Sequence, residues 1–517
     1  MGIKLTLLIF FCALMIAIGI LTRRRTHGVD EFVLGGRTVG PWLTAFAYGT
    51  SYFSAVVFIG YAGQFGWKYG IASTWIGIGN ALIGSLLAWV VLGRRTRLMT
   101  KHLAASTMPD FFGKRFDSRN LKIISSIIIF VFMIPYTASV YTGLSRLFSM
   151  AFHIDYAYCM IAMAVLTAVY VILGGYVATA VNDFIQGIIM LLGIVAVIVS
   201  VLSGQGGFSA ALQSLSEVTA DGGGFTSCFG PAPLSLLGVV ILTSLGTWGL
   251  PQMVHKFYSI QSEDAIRKGT VISTVFALIV AGGSYFLGGF GRLYADYEGV
   301  IVNGTVRYDN IIPTMLSGLP DIMIGIVVVL VLSASMSTLS GLVLTSSSSL
   351  TLDLISGTLV KHMTEQKKVR CIRLLIAVFV LISVLIALDP PTFIAQLMGI
   401  SWGALAGSFL APFLYGLFSK KVTRAGVWAS FATGVGITTL AMVANFFDLT
   451  VSPVLKWVCN PINAGAIAML VGLIVVPLVS MVSPKLPEET VNACFVAYQK
   501  PEKELDESAQ CTRKERI

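Results

Sequence analysis

Thr243-Ser244-Leu245-Gly246-Thr247-Trp248-Gly249-Leu250-Pro251 sits within an apolar run over 235–257, long enough to cross a bilayer. At mid-membrane depth leucine is the cheapest residue, yet this run places glycine, small hydroxyls and a proline there. A second run, over 41–62, does the same with Phe46-Ala47-Tyr48-Gly49-Thr50-Ser51-Tyr52-Phe53-Ser54. Glycine relaxes the backbone and proline removes a donor, so both segments are expected to unwind at mid-membrane. Unwound backbone at that depth is tolerated only where it lines a protein cavity, and its freed carbonyls and half-helix ends can then hold an ion or a solute. Counted along the chain the two runs lie five spans apart, each opening a set of five, which is how an inverted-repeat transporter reads in sequence. The alternative for either run alone is that glycine merely lets helices approach closely.

The whole chain fits that membrane setting. Of 517 residues 56% are apolar and 12% charged, with a mean hydropathy of +0.83; soluble domains carry about a quarter charged residues. Thirteen apolar segments of spanning length are read, at about 3–22, 41–62, 71–93, 121–151, 156–175, 181–203, 235–257, 270–291, 321–350, 371–388, 392–417, 425–446 and 463–483. The formal charge of +10 does not report nucleic acid. Most Lys and Arg fall on alternate loops: around Arg23–Arg37, Arg94–Lys122, Lys256–Lys268, Lys361–Arg373, Lys420–Arg424 and after Ser483. This alternation is the positive-inside pattern. The first segment has only Lys4 ahead of it and Arg23-Arg24-Arg25 behind it, the reverse of a cleaved signal, so it reads as a retained helix with its amino end outside. The carboxyl end is then cytoplasmic, in a multi-pass protein of the cell membrane. The domain reading is a transmembrane unit over 1–483, with core repeats at about 41–203 and 235–417, and a loosely ordered cytoplasmic tail over 484–517. Seven scattered cysteines indicate neither a metal site nor a disulfide scaffold, although Cys228 and Cys459 both fall in predicted external loops. Asn303-Gly304-Thr305 matches a glycosylation sequon, which a single tripeptide does by chance.

Two further stretches carry chemistry. Ser333-Ala334-Ser335-Met336-Ser337-Thr338-Leu339-Ser340-Gly341, followed by Thr345 to Ser349, is rich in hydroxyls and has no charge before Asp353. Neutral hard oxygens suit a sodium ion that must be released. Bonding back to the i−4 carbonyl is the competing use of such hydroxyls, and it is the reading for Thr345 to Ser349; for Ser337 and Thr338 the ion is favoured. Asp183, in Asn182-Asp183-Phe184-Ile185-Gln186-Gly187, opens an apolar span, where a carboxylate is either functional or a cap on the helix dipole.

Asp30-Glu31-Phe32-Val33-Leu34-Gly35-Gly36-Arg37, Leu173-Gly174-Gly175-Tyr176 running to Asn182-Asp183 and Gln186-Gly187, Gly249-Leu250-Pro251 and Ala334-Ser335-Met336-Ser337-Thr338 resemble segments of the sodium/solute symporter family, in its proline/pantothenate carrier branch. The resemblance runs from residue 30 to about 420. It implies an all-α LeuT-type fold, an inverted five-plus-five repeat after one extra helix, working by alternating access with Na+ as the coupling ion. The family's sodium site falls on the carbonyls of Thr50, Phe53 and Ala334 and the hydroxyls of Ser337 and Thr338, with Asp183 beside it. Some members hold a second sodium through two adjacent hydroxyls; here that pair reads Ser340-Gly341, which leaves Ser340 alone and puts a second ion in doubt. The solute-facing candidates are Tyr52, Ser54, Tyr136, Thr243, Thr247 and Trp248. Proline carriers have an Asp where this chain has Tyr52 and aromatics where it has Thr243 and Thr247, which argues against proline; the amino ends of broken helices suit a carboxylate-bearing solute, pantothenate-like, another amino acid or a short monocarboxylate. The implied partners are a small organic solute and the bilayer, with no nucleic acid and no obligate protein partner. A sodium-responsive sensor or channel on the same fold is the competing class. Nothing in the spacing of the five His, the Ser or the Asp residues supports an enzyme.

Overall fold

The computed structural model describes residues 2–23, 28–356, 358–360, 363–449 and 451–499. Among these, nine helices are long and apolar enough to cross a membrane, and the bent pair Pro233–Gly249 and Pro251–Ser259, turned by 45°, makes a tenth. The expected thirteen spans are not reached by that measure, for local reasons. Pro41–Tyr52 is cut short by a break, Gly2–Ile18 and Tyr156–Val169 are apolar but brief, and Val56–His102 runs on as one 47-residue segment through a tight turn at Gly70–Ser73. Bulky apolar side chains point away from the protein along these helices, Leu192 at 71% exposure and Phe446 at 82%. Water would not tolerate so much exposed hydrocarbon, and lipid does.

Asp321–Ser349 is the central helix, packed against Tyr156–Gly204 and Arg119–Phe152 and touching Pro41–Tyr52. Its residues from Ala334 to Ser340 are all buried. Ile394–Phe418, Arg424–Phe446 and Pro461–Val482 pack on one another, and the first of them also packs against Arg119–Phe152 and Pro233–Gly249. The segment Tyr156–Gly204 bends at Gly175, whose φ of +59° and ψ of −163° exclude a side chain; a Cβ there would also lie 2.8 Å from the ring of Phe32. Two of the quoted sequence stretches therefore meet at that bend. Arg24 and Arg25 lie outside the described residues.

Several basic residues that mark topology in the sequence have second partners. Arg97 donates to the carbonyls of Ile260 (2.9 Å) and Gln261 (2.6 Å), and Arg115 to those of Gly416 and Ser419 (2.9 Å each). These guanidinium groups satisfy carbonyls that a helix end leaves without an N–H. The first part of the tail differs from expectation. Glu488–Phe495 is helical, Tyr498 donates to the carbonyl of Leu417 at 3.0 Å, and Lys420 reaches Asn492 at 2.8 Å. The apolar side of this short helix, with Val491, Cys494 and Phe495 buried, supplies the packing that the absence of helical periodicity in the sequence had hidden. Residues 500–517 lie outside the described residues. The six described cysteines are free.

The sequon forms the turn of a small hairpin, Ile301–Val302 against Thr305–Val306, with Asn303 and Gly304 both at positive φ (51° and 74°). Asn-Gly is the preferred pair for such a turn, which accounts for the tripeptide. The helix that follows, Tyr308–Ser317, carries Asp309, 5% exposed, whose Oδ2 accepts the N–H of Ile394 at 3.4 Å. Burial pushes its carboxyl up to about 6, against the pull of the Arg146 guanidinium and that N–H. A carboxyl raised above its unfolded value adds stability below the unfolded pKa and loses it as pH rises through the folded one. Lowering the pH from 7 to 5 should therefore raise the melting temperature of the purified protein by more in the parent than in Asp309→Asn. Parallel shifts in the two would count against the assignment.

Candidate functional site

The first break comes where Pro41–Tyr52 ends. Phe53 is extended (φ −99°, ψ 127°), and helical structure resumes at Ala55, with the hydroxyl of Ser54 accepting the N–H of Val56 at 3.2 Å. Gly49 is not at the break. It remains helical and close-packed, a Cβ there falling 2.5 Å from the ring of Phe276. The second break falls at Leu250, held extended (φ −80°, ψ 121°) by the following Pro251, which disfavours a helical residue before it. Both expected interruptions are present, and the last carbonyls of Pro41–Tyr52 have no succeeding helical N–H to accept from.

The sodium candidates converge from two helices. Ser337 donates to the hydroxyl of Thr50 at 2.8 Å, across from one helix to the other. Thr338 reaches the carbonyl of Phe53 at 3.2 Å and that of Ala334, one turn back on its own helix, at 3.1 Å. Thr50, Phe53, Ala334, Ser337 and Thr338 are thus tied together by three hydrogen bonds, with the extended Phe53 turning its carbonyl out of the helix. All five are buried. Uncharged oxygens gathered at a helix break suit a weakly held Na+. Ser340 instead donates to the carbonyl of Ser337 at 2.9 Å.

Asp183 is fully buried and stands beside Ser337. Its partner is Lys256, 3.7 Å away and 3% exposed, on the helix that follows the second break. Lys256 had been counted with the cytoplasmic loop charges, although it falls within the 235–257 span. An ionisable residue inside a span was the signal for it.

The solute candidates divide. Tyr52 donates to the carbonyl of Thr243 at 2.5 Å, which joins the two broken helices. Thr243 turns to Asn80 at 2.9 Å, Thr247 to the carbonyl of Gly84 at 3.1 Å, and Trp248 to that of Ile83 at 3.0 Å, so the polar atoms of these three bind the neighbouring helix. Tyr136 and Tyr52 both set their rings edge-on to Trp402, with centroids 6.0 and 6.3 Å away. The Tyr136 hydroxyl and the Trp402 indole N–H are buried beside each other, with Ser54 next to Tyr136, and neither makes a well-aligned hydrogen bond among the described residues. Sequence reasoning missed Trp402 and Asn80. A tryptophan flanked by glycines in Gly399-Ile400-Ser401-Trp402-Gly403 was the only trace of the first. Among the described residues no cluster of His, Cys, Asp or Glu suits a metal.

Two helices broken at mid-membrane, a knot of neutral oxygens at one break and aromatic rings beside it define an ion-coupled secondary transporter. The sodium:solute symporter family matches residues 32–434, and the chain belongs to that family. It is accordingly a multi-pass membrane transporter that couples Na+ to the movement of a small organic solute. A sodium/proline symporter of Salmonella typhimurium is 30% identical over 450 residues, covering 84% of this chain and 87% of that protein. One from Staphylococcus aureus is 32% identical over 440 residues, covering 82% and 83%. Among solved structures, a Na+-coupled sialic acid symporter in a substrate-bound outward-open state superposes with a TM-score of 0.75 at 17% identity, over 94% of this chain and 99% of that one. A nucleobase-cation-symport-1 family transporter gives 0.51 at 14% identity, over 89% and 97%. The fold is the LeuT type.

Proposed function

We propose that one sodium ion, held by the carbonyls of Thr50, Phe53 and Ala334 and the hydroxyls of Ser337 and Thr338, drives the import of a small carboxylate-bearing solute by alternating access. The observation that carries the solute class is the buried group of Tyr136 OH, Trp402 Nε1 and Ser54 Oγ beside the aromatic rings, polar neighbours that make no well-aligned hydrogen bond to one another. A buried donor left unmade costs on the order of 1–3 kcal/mol, and a carboxylate oxygen accepts from both kinds. The rings of Tyr52, Tyr136 and Trp402 would face the apolar part of the solute. Thr243, Thr247, Trp248 and Ser54 shape the site by holding the broken helices in place. Proline is the second reading, favoured by the curated relatives named above.

What one ion can drive depends on the net charge of the solute. A charge moving through about 100 mV yields ~2.3 kcal/mol, and a tenfold sodium gradient adds about 1.4 kcal/mol. Together they hold a solute of zero net charge, such as a zwitterion, at several hundredfold accumulation; with a monoanion the cycle moves no net charge, and the sodium gradient alone holds about tenfold. Labelled proline, pantothenate and short monocarboxylates should be offered to cells or proteoliposomes with and without an inward sodium gradient. Accumulation of one of them against its own gradient, with a Hill coefficient for sodium near one, is the expected result. A steep sigmoid would remove the single-ion claim, and equilibration without accumulation would favour a sodium-gated channel or sensor.

The orientation proposed is amino end outside and carboxyl end cytoplasmic. In a background lacking the exposed Cys228, Gln213→Cys should react with an impermeant thiol reagent on intact cells and Gln366→Cys should not. Both positions are exposed, so equal labelling would overturn the orientation.

A further inference from the structure

We infer that Lys256 is a tethered competitor of the coupling ion: its ammonium neutralises Asp183 while the sodium site is empty and yields the carboxylate when sodium binds. The inference rests on the sodium site proposed above. The five oxygens assigned to the ion carry no formal charge, so the local negative field comes from Asp183, beside Ser337. That carboxylate is fully buried, and neither of its oxygens accepts a hydrogen bond from a described residue. An isolated charge so placed is costly in a dry interior unless a counter-charge stands near it. Lys256 supplies one, at 3.7 Å.

The form of the pair bears on its use. At 3.7 Å the contact lacks the short hydrogen bond of a locked salt bridge. The same ammonium lies 5.2 Å from the centroid of the Tyr176 ring, a second resting place that stabilises a cation without a carboxylate. A four-carbon stem lets the ammonium shift between the two. Counting formal charges, Asp183 and Lys256 sum to zero, and a sodium ion makes the region positive. Two cations then share one carboxylate, and each weakens the hold of the other. A neutral oxygen set beside an unopposed carboxylate would bind sodium too tightly to let it go; the lysine moderates that binding. It also connects three elements that meet at the site. Lys256 belongs to the half-helix Pro251–Ser259, Asp183 to the segment beyond the Gly175 bend, and Ser337 to the central helix, where it bonds the first broken helix through Thr50.

Equilibrium binding of radioactive sodium to the purified full chain, with no solute present, reads this directly. Lys256→Met should tighten sodium binding by about tenfold or more, because the competing charge is gone. Lys256→Arg, which keeps the charge, should leave it near the parent value. Asp183→Asn should weaken binding by about tenfold, and adding Lys256→Met to it should recover at least about fivefold, since the remaining repulsion is then removed. That double variant buries no charge, so it carries the test even where Lys256→Met alone does not fold. A residue that only braced the fold would not produce a gain in affinity. Unchanged or weaker binding in Lys256→Met, or no recovery in the double variant, overturns the inference while Ser337→Ala still loses sodium. If Ser337→Ala binds sodium like the parent, the sodium site itself is misplaced and the inference goes with it.

Discussion

Replacing Ser337 or Thr338 with alanine should raise the half-saturating sodium concentration for uptake by about tenfold or more, equivalent to at least ~1.4 kcal/mol. Each substitution removes one neutral oxygen with little change in volume or helix propensity. The geometry separates the two things that oxygen does. Ser337 donates to the Thr50 hydroxyl, so alanine there also loses a bond between helices. Thr50→Val loses the same bond while keeping the carbonyl assigned to the ion, and bonds of this kind in membranes are worth about 0.6 kcal/mol on average. If the ion reading is right, Thr50→Val shifts sodium dependence by less than about threefold and Ser337→Ala by far more. Thr345→Ala, lower on the same helix, is a second control and should change little. Equal sodium dependence in Ser337→Ala, Thr338→Ala and the parent, at matched expression, would show that the ion binds elsewhere. A large shift in Thr50→Val alongside an equal one in Ser337→Ala would assign both effects to lost helix contact.

How legible the site was in sequence follows from whether a residue acts through its own backbone or through a distant partner. The second break is legible as falling within Thr243–Pro251, and the structure puts it at Leu250 because proline dictates the conformation of its neighbour. The hydroxyl run at Ser333–Ser340 was visible because such a run is expensive in a span unless it is used. Gly49 was read as a point of unwinding, whereas the helix continues to Tyr52 and the glycine admits Phe276. Small size serves both purposes, and sequence does not separate them. Lys256 was assigned to a loop because charge was counted by position along the chain, and only the fold brings Asp183 to it from more than seventy residues away. Asn80 has no pattern at all and Trp402 only its flanking glycines, since their partners lie on other helices. Uninterrupted helix length does not confirm the count of thirteen spans, for the same reason that the breaks exist. Interrupted helices no longer have the uninterrupted length by which a span is recognised.

Glycine's packing role yields the prediction with the largest expected effect on the fold. Gly66, on the half of the first broken helix that follows the break, faces Gly288 at the end of Glu263–Gly288. A Cβ on Gly66 would stand 1.9 Å from the carbonyl oxygen of Gly288, and one on Gly288 would stand 2.1 Å from that of Ala62. These are clashes with backbone, so no rotamer relieves them, and the two helices would have to separate. Overpacking a core costs about 1–3 kcal/mol when side chains can adjust, and more when the backbone must move. Gly66→Ala and Gly288→Ala should each sharply reduce the monodisperse fraction of detergent-solubilised protein on size-exclusion chromatography, with loss of uptake. Gly282→Ala, one and a half turns away on the same helix as Gly288, meets nothing within 4 Å and should elute and melt like the parent. Because alanine is the better helix former, intrinsic propensity alone predicts a similar gain at all three positions. Normal folding of Gly66→Ala would mean that this half-helix is free to move away from Glu263–Gly288, and the close glycine crossing would not be what fixes its position.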